Sequence, residues 1–221
     1  MLDRGPDQVT VVIIDDHRMF AQSLARLLAD EVDITVVATA GTGAEGIAAE
    51  ARLQPQVVLV DFQMPDQDGL AIASEIRQRY PSTMVVMLTG SSDDRLLLAA
   101  IDAGCAGFLT KDRAAPELAD AIRMAAVGEA LISAATLARL LPKIRSRHRG
   151  LGSDLTQRER EILGLLARGW SNKAIASELF LSVNTVRNYV QYVLNKLGAH
   201  SKLEAVATAV RAGILDFPTA V

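Results

Sequence analysis

Cysteine is nearly missing from this chain of 221 residues: Cys105 stands alone, so no disulfide framework holds the fold, and a reducing compartment fits. Histidine is as sparse. His17, His148 and His200 lie far apart with no cysteine beside them, which excludes a zinc site of Cys/His spacing. No apolar run approaches the length of a membrane span, and the opening residues Met1-Leu2-Asp3-Arg4-Gly5-Pro6-Asp7 lack the basic and apolar segments of a secretory signal. The expectation is a soluble, cytoplasmic protein with no membrane partner.

What the chain does have is an apolar half and a strong charge asymmetry. That apolar content suffices for one large core, or for a domain of ordinary size plus a small one. Charge separates the two options. Residues 1–141 hold 11 Lys and Arg against 20 Asp and Glu, a net of −9; residues 142–221 hold 12 against 6, a net of +6. The whole-chain charge of −3 therefore hides an acidic part suited to metal or phosphate chemistry and a basic part suited to a polyanion, with nucleic acid the first candidate.

Apolar runs near 9–14, 34–38, 57–60, 84–88 and 106–109 are each followed by a helical pattern, and Gly, Pro and Asp punctuation bounds them as strands. This alternation predicts an α/β domain, a doubly wound five-stranded parallel sheet, over residues 8–129. Such sheets gather ligands outside the carboxyl ends of their strands. At those ends stand Asp15 and Asp16 after the first run, Asp61 after the third, Thr89 after the fourth and Lys111 after the fifth.

Three converging carboxylates repel one another and call for a cation. Mg²⁺ suits them, held by Asp16, Asp61 and the backbone carbonyl of Gln63, with Asp15 acting through water. An ionised Asp61 can attack a phosphoryl group while Lys111 offsets charge on its oxygens and the Thr89 hydroxyl donates to one of them. Gly90 leaves room for that oxygen. Alone, each strand-end Asp would more often be a turn or cap; together the five residues reverse that odds. His17 is expected only to start a helix, and Glu45, Asp66, Asp68, Asp93 and Asp94 to be loop or first-turn acids.

Asp15-Asp16, Asp61 with Met64-Pro65 and Gly69, Thr89-Gly90 and Gly107-Phe108-Leu109-Thr110-Lys111 closely resemble the receiver domain of two-component response regulators, a flavodoxin-like fold. The resemblance implies that Asp61 accepts a phosphoryl group from a sensor histidine kinase, that Thr89 follows the phosphoryl, and that Phe108 matches the switch aromatic. Phe108 is equally explicable as core filling.

Residues 130–153 are expected to be a linker, with a short helix before Pro142 and then a basic stretch best explained as a solvated tether. Residues 154–217 turn all-helical. Thr156 and Ser171 cap the first two helices, a third begins after Ser182, and a fourth covers 201–212. In the third, Val183, Val186, Val190, Val193 or Leu194, and Leu197 mark a core face; the opposite face carries Asn184, Arg187, Asn188, Gln191 and Asn195, which can meet base edges or phosphates. A polar helix face is often merely solvated, but the short turn from the preceding helix makes a helix-turn-helix, which would bring Lys173, Asn184 and Thr185 to phosphates.

Leu155-Thr156-Gln157-Arg158-Glu159-Arg160-Glu161-Ile162-Leu163, Gly169, Ser171-Asn172-Lys173-Ala174-Ile175-Ala176 and Lys196-Leu197-Gly198 resemble the LuxR-type output domain, which puts Arg187, Asn188 and Gln191 where that family touches bases and nearby phosphates. Gln191 stands where a basic residue is common. The order of the parts is that of a NarL/FixJ-type response regulator, and it implies double-stranded DNA as partner and a homodimer when phosphorylated. Leu203, Val206 and Val210 on the fourth helix offer either a dimer face or part of the module's own core, the second being better supported. Two rival functions remain at this stage: an aspartyl-phosphate hydrolase, and a regulator that answers to a ligand without phosphorylation.

Overall fold

In the computed structural model the described residues are 8–215 except 66, 91–92, 112–114, 130–131, 142–151 and 153, with the backbone alone at 115, 116 and 134. Asp66 and the basic stretch of the linker fall outside them. The chain forms two compact units that divide between residues 131 and 132.

Strands β1 (Val9–Ile14), β2 (Ile34–Ala40), β3 (Val57–Asp61), β4 (Met84–Thr89) and β5 (Gly107–Thr110) build the first unit around one sheet. Every pairing is parallel, in the order β2-β1-β3-β4-β5. Parallel sheets are covered on both faces, which is why the strands read as continuous Val, Ile and Leu rather than alternating. Strand β2 runs past the expected 38 because Ala38, Thr39 and Ala40 pair with Val12, Ile13 and Ile14 beyond a register shift at Val11/Val12.

Helices α1 (Arg18–Leu28), α2 (Gly43–Leu53), α3 (Gly69–Arg79), α4 (Asp94–Asp102) and α5 (Ala115–Ala126) divide between the faces. Leu24 and Leu28 of α1 and Ile122 of α5 pack on Val11, Ile13, Leu59 and Leu88. Ala49 of α2, Ile72 and Ile76 of α3 and Ala100 of α4 pack on Ile14, Val60 and Met87. Each such fully buried Leu or Ile contributes about 1.5–3 kcal/mol over its exposed state. At the amino edge of the sheet Glu50 is wholly buried, and its Oε1 accepts from Thr83 Oγ1 at 2.7 Å. Burial raises the Glu50 pKa, and the Thr83 hydrogen bond partly offsets that. Arg77 donates to the Thr83 carbonyl.

The second unit holds α6 (Ala134–Leu140), α7 (Gln157–Ala167), α8 (Asn172–Glu178), α9 (Val183–Leu197) and α10 (Lys202–Arg211). Ser133, Thr156, Ser171, Ser182 and Ser201 each accept a backbone N–H of the helix they precede, so hydroxyl caps set every one of these starts. Thr156 and Glu159 form a reciprocal capping box, and Glu159 also takes the Lys196 ammonium at 2.8 Å, tying α7 to α9. Val186, Val190, Val193 and Leu197 of α9 are buried, whereas Val183 and Leu194 are only partly so. Leu203 and Val206 are also buried, where α10 packs on α7 and α9. The apolar face of α10 therefore serves this unit's own core. Among the described residues no helix is long and apolar enough to cross a membrane.

Candidate functional site

The strand order of the first unit reverses between β1 and β3, where doubly wound sheets open a crevice at their carboxyl edge. Ile14 lies beside Val60 in register, so Asp15 and Asp61 emerge as neighbours. Both are buried, Asp15 completely. The Asp61 side is further fixed by Gly69: a Cβ there would stand 2.1 Å from the Asp61 carbonyl oxygen, so only glycine lets α3 begin so close to the end of β3. Asp68 caps that helix through the Leu70 N–H, as Asp93 caps α4 through Arg95 N–H.

Lys111 closes the crevice. Its backbone N–H bonds the Thr89 carbonyl at 2.9 Å, carrying the β4–β5 ladder one residue past Thr110. The ammonium then stands 2.8 Å from Asp15 Oδ2 and 3.0 Å from Asp61 Oδ2, with the Phe20 ring 4.8 Å away on its other contact. Burial raises the Asp61 pKa; the Lys111 hydrogen bond and charge work against this, Asp15 adds to it, and the Gln63 backbone N–H lowers it. For Lys111, burial disfavours the ammonium, but the bonds to Asp15 and Asp61 outweigh it and leave the pKa raised.

The side chains of Asp15, Asp16, His17 and Asp61 offer ligand atoms that all lie within 4.8 Å of one another. Asp16 Oδ1 is buried and makes no hydrogen bond, although His17 Nδ1 is 3.0 Å from it. Among the described residues the Lys111 ammonium reaches two of the three carboxylates, Asp15 and Asp61, and Asp16 Oδ1 stays buried without a hydrogen bond. That donor set fits a hard divalent cation such as Mg²⁺.

Of the residues expected from sequence, Asp15, Asp16, Asp61 and Lys111 come together in contact. Thr89 ends β4, buried and beside Thr110 in register. Gln63 is exposed two residues after Asp61, which its amide contacts. A Cβ at Gly90 would meet nothing within 4 Å, so space does lie beside Thr89. Phe108 is apart from the carboxylates: it pairs with Met87 and packs, partly buried, on the core beneath α2, α3 and α4. His17, expected only to start a helix, does stand at the N-cap of α1, and its ring also lies against the acids, whereas Phe20 was not singled out from sequence. The signal for His17 was its place directly after two acids at a strand end; nothing in the pattern showed that the Phe20 ring lies against Lys111. A cleft of about 230 Å³ opens beside Asp15, lined by Arg18, Gln22, Thr39 and Glu45 among others.

In the second unit α8 and α9 are joined by a turn at Leu179–Leu181, in which Phe180 takes φ +54° and is 95% exposed. Asn184, Arg187, Asn188 and Gln191 are all exposed on α9, Thr185 is partly covered, and Lys173 is exposed on α8. Arg187 reaches Asn184 at 3.4 Å and Gln191 bonds Asn195 at 3.0 Å, so these groups lie along one polar strip. The strip and its hydrogen-bonding types match what the major groove presents.

Residues 11–123 match the family model described as the response regulator receiver domain, and residues 153–209 that of bacterial regulatory proteins of the luxR family. Response regulator protein VraR of Staphylococcus aureus is 33% identical over 208 residues, 94% of this chain and 99% of that protein. Among solved structures, response regulator ChrA of a heme-sensing two-component system is similar over 95% of this chain and 100% of its own, at 30% identity and a TM-score of 0.51. The RcsB response regulator of Salmonella typhimurium, solved in a study of its DNA interaction, matches over 90% and 97% at 25% identity and a TM-score of 0.55.

Proposed function

The chain belongs to the two-component response regulators that join a receiver to a LuxR-type DNA-binding domain, and from that membership we propose that Asp61 is its phosphoacceptor and α9 its DNA-reading element. The observation that carries the reading is the Lys111 ammonium shared between Asp15 and Asp61 at the carboxyl edge of the sheet. We assign residues 8–129 to the receiver, 130–153 to the linker and 154–217 to the output domain.

A sensor histidine kinase is the donor. An Asp61 oxygen attacks phosphorus, the bond from phosphorus to the donor's imidazole nitrogen breaks, and the freed imidazole takes a proton from solvent. Lys111 then balances the charge that gathers on the phosphoryl oxygens. Burial makes the Asp61 carboxylate more basic than usual, hence more nucleophilic once ionised, and the Lys111 hydrogen bond and charge favour the ionised form. Asp16, Asp61 and the Gln63 carbonyl would hold Mg²⁺, Asp15 acting through water; when bound, the cation supplies further charge neutralisation at the phosphoryl oxygens. Thr89 takes up a phosphoryl oxygen through its hydroxyl, and Phe108 follows by repacking within the α3 and α4 side of the core.

The output is DNA binding. Arg187, Asn188 and Gln191 read bases or adjacent phosphates, and Lys173, Asn184 and Thr185 hold the backbone. One recognition helix per chain makes a homodimer on adjacent half-sites the phosphorylated form, and its contact lies elsewhere than the Leu203 and Val206 face, which is buried. As a regulator it takes up one phosphoryl group rather than turning over esters.

Intact-mass measurement after incubation with acetyl phosphate, with and without Mg²⁺, tests the acceptor. One added phosphoryl group is expected only with Mg²⁺, removed by hydroxylamine and lost in Asp61→Asn. Labelling retained by that variant would exclude Asp61.

A further inference from the structure

His17 occupies the N-cap position of α1, yet its side chain caps nothing there. Ser, Thr, Asp or Asn would satisfy the helix start better. The imidazole is instead turned to the acids: Nδ1 is 3.0 Å from Asp16 Oδ1 and 3.5 Å from Asp15 Oδ1, and the His17 backbone N–H bonds Asp15 Oδ1 at 2.9 Å. Adjacent donors around an octahedral ion with bonds of about 2.1 Å are separated by about 3.0 Å. Asp16 Oδ1 and His17 Nδ1 have that spacing, and the oxygen, buried and without a hydrogen bond, has a lone pair to give. An exposed ion pair between the two would contribute little, since His17 is 70% exposed.

We propose that His17 is a nitrogen ligand at the carboxylate site, which lets the site take borderline transition-metal ions such as Co²⁺ and Ni²⁺ in preference to Mg²⁺. The inference rests on the cation site assigned above, and it adds a donor and a selectivity to it. An all-oxygen site suits Mg²⁺ and Ca²⁺, whereas an imidazole nitrogen favours the later first-row ions through their higher affinity for nitrogen. Mg²⁺ gains nothing comparable from the ring, so removal of the imidazole separates the two classes of ion. The outer face of His17 is open to solvent, so the ring can swing to a bound ion without disturbing the core.

The test uses the full-length chain. Calorimetric titration with Mg²⁺ and with Co²⁺, together with the visible absorption of bound Co²⁺, is compared across the parent, His17→Ala and Asp16→Asn. The proposal expects His17→Ala to weaken Co²⁺ by about tenfold or more and to alter its absorption band, while Mg²⁺ binding moves less than about threefold. Asp16→Asn should weaken both ions, which locates the His17-dependent signal at this site rather than at His200 or His148. Co²⁺ affinity and spectrum unchanged in His17→Ala, or both ions weakened equally, would overturn the role of His17 while leaving the cation site intact. A parent that binds neither ion, or an Asp16→Asn variant that binds both as the parent does, would overturn the site itself.

Discussion

Lys111→Met keeps an unbranched side chain and deletes the ammonium that stands 2.8 Å from Asp15, 3.0 Å from Asp61 and 4.8 Å from the Phe20 ring centre. Two unit charges about 3 Å apart attract by about 5 kcal/mol at an effective dielectric constant of ~20. Desolvation has already consumed part of that, and removing one partner of a buried pair costs about 3–5 kcal/mol. The Lys111 side chain retains 22% exposure, so water screens some of the loss. We expect a deficit of about 2–4 kcal/mol at pH 7 by urea denaturation with EDTA present.

Its pH dependence is the sharper test. Asp61 has a raised folded-state pKa, so its contribution is fully present below the unfolded carboxylate range and is lost as pH rises through the folded value. Without Lys111 that folded value rises further, and the loss extends over a wider window. Lys111 itself has a raised folded-state pKa, so its stabilisation holds below the ordinary lysine value and disappears above it. The deficit should therefore be small near pH 4, grow toward neutrality, and shrink again at high pH. An equal deficit at pH 4 and pH 8, or none at pH 7, would refute the electrostatic account.

Gly69→Ala should destabilise the chain by about 3 kcal/mol and impair phosphoryl uptake, because its Cβ must push α3 off the Asp61 carbonyl; thermal unfolding and mass labelling report both effects, and a stable, fully labelled variant would contradict the contact. Thr83→Val removes the donor to buried Glu50 and should cost about 1–3 kcal/mol. Because the Glu50 folded-state pKa is already raised and would rise further, the Thr83→Val cost should be larger at pH 8 than at pH 5 in denaturant titrations. Arg187→Ala should weaken DNA binding by about 1–3 kcal/mol and relax base preference if its contact is bidentate to guanine, measured by anisotropy on matched and mutated sites; unchanged affinity and preference would assign Arg187 to solvent.

The alternation of apolar runs with helical segments made the sheet legible, and strand-end position alone put Asp15, Asp61 and Lys111 in one crevice. Helix starts were equally plain, since hydroxyl caps at Thr156 and Ser171 are local chemistry. Three things were not legible. The ring direction of His17 depends on the turn after β1, the contact of Phe20 with Lys111 joins the first helix to the last strand, and the proximity of Gly69 to the Asp61 carbonyl is a clearance between backbones. Each is a tertiary distance with no periodic signature. The use of the α10 face was ambiguous for the same reason: an apolar stripe names a buried surface without naming what buries it.

The crevice is begun by β1 and completed by a lysine just past β5. During synthesis, when folding proceeds from the amino terminus, a nascent chain that has emerged only through β4 displays all the acids and lacks the cation that gathers them. Competence for the proposed phosphoryl uptake thus waits for residue 111, about halfway through synthesis, and an amino-terminal fragment ending before it should take up no phosphoryl group.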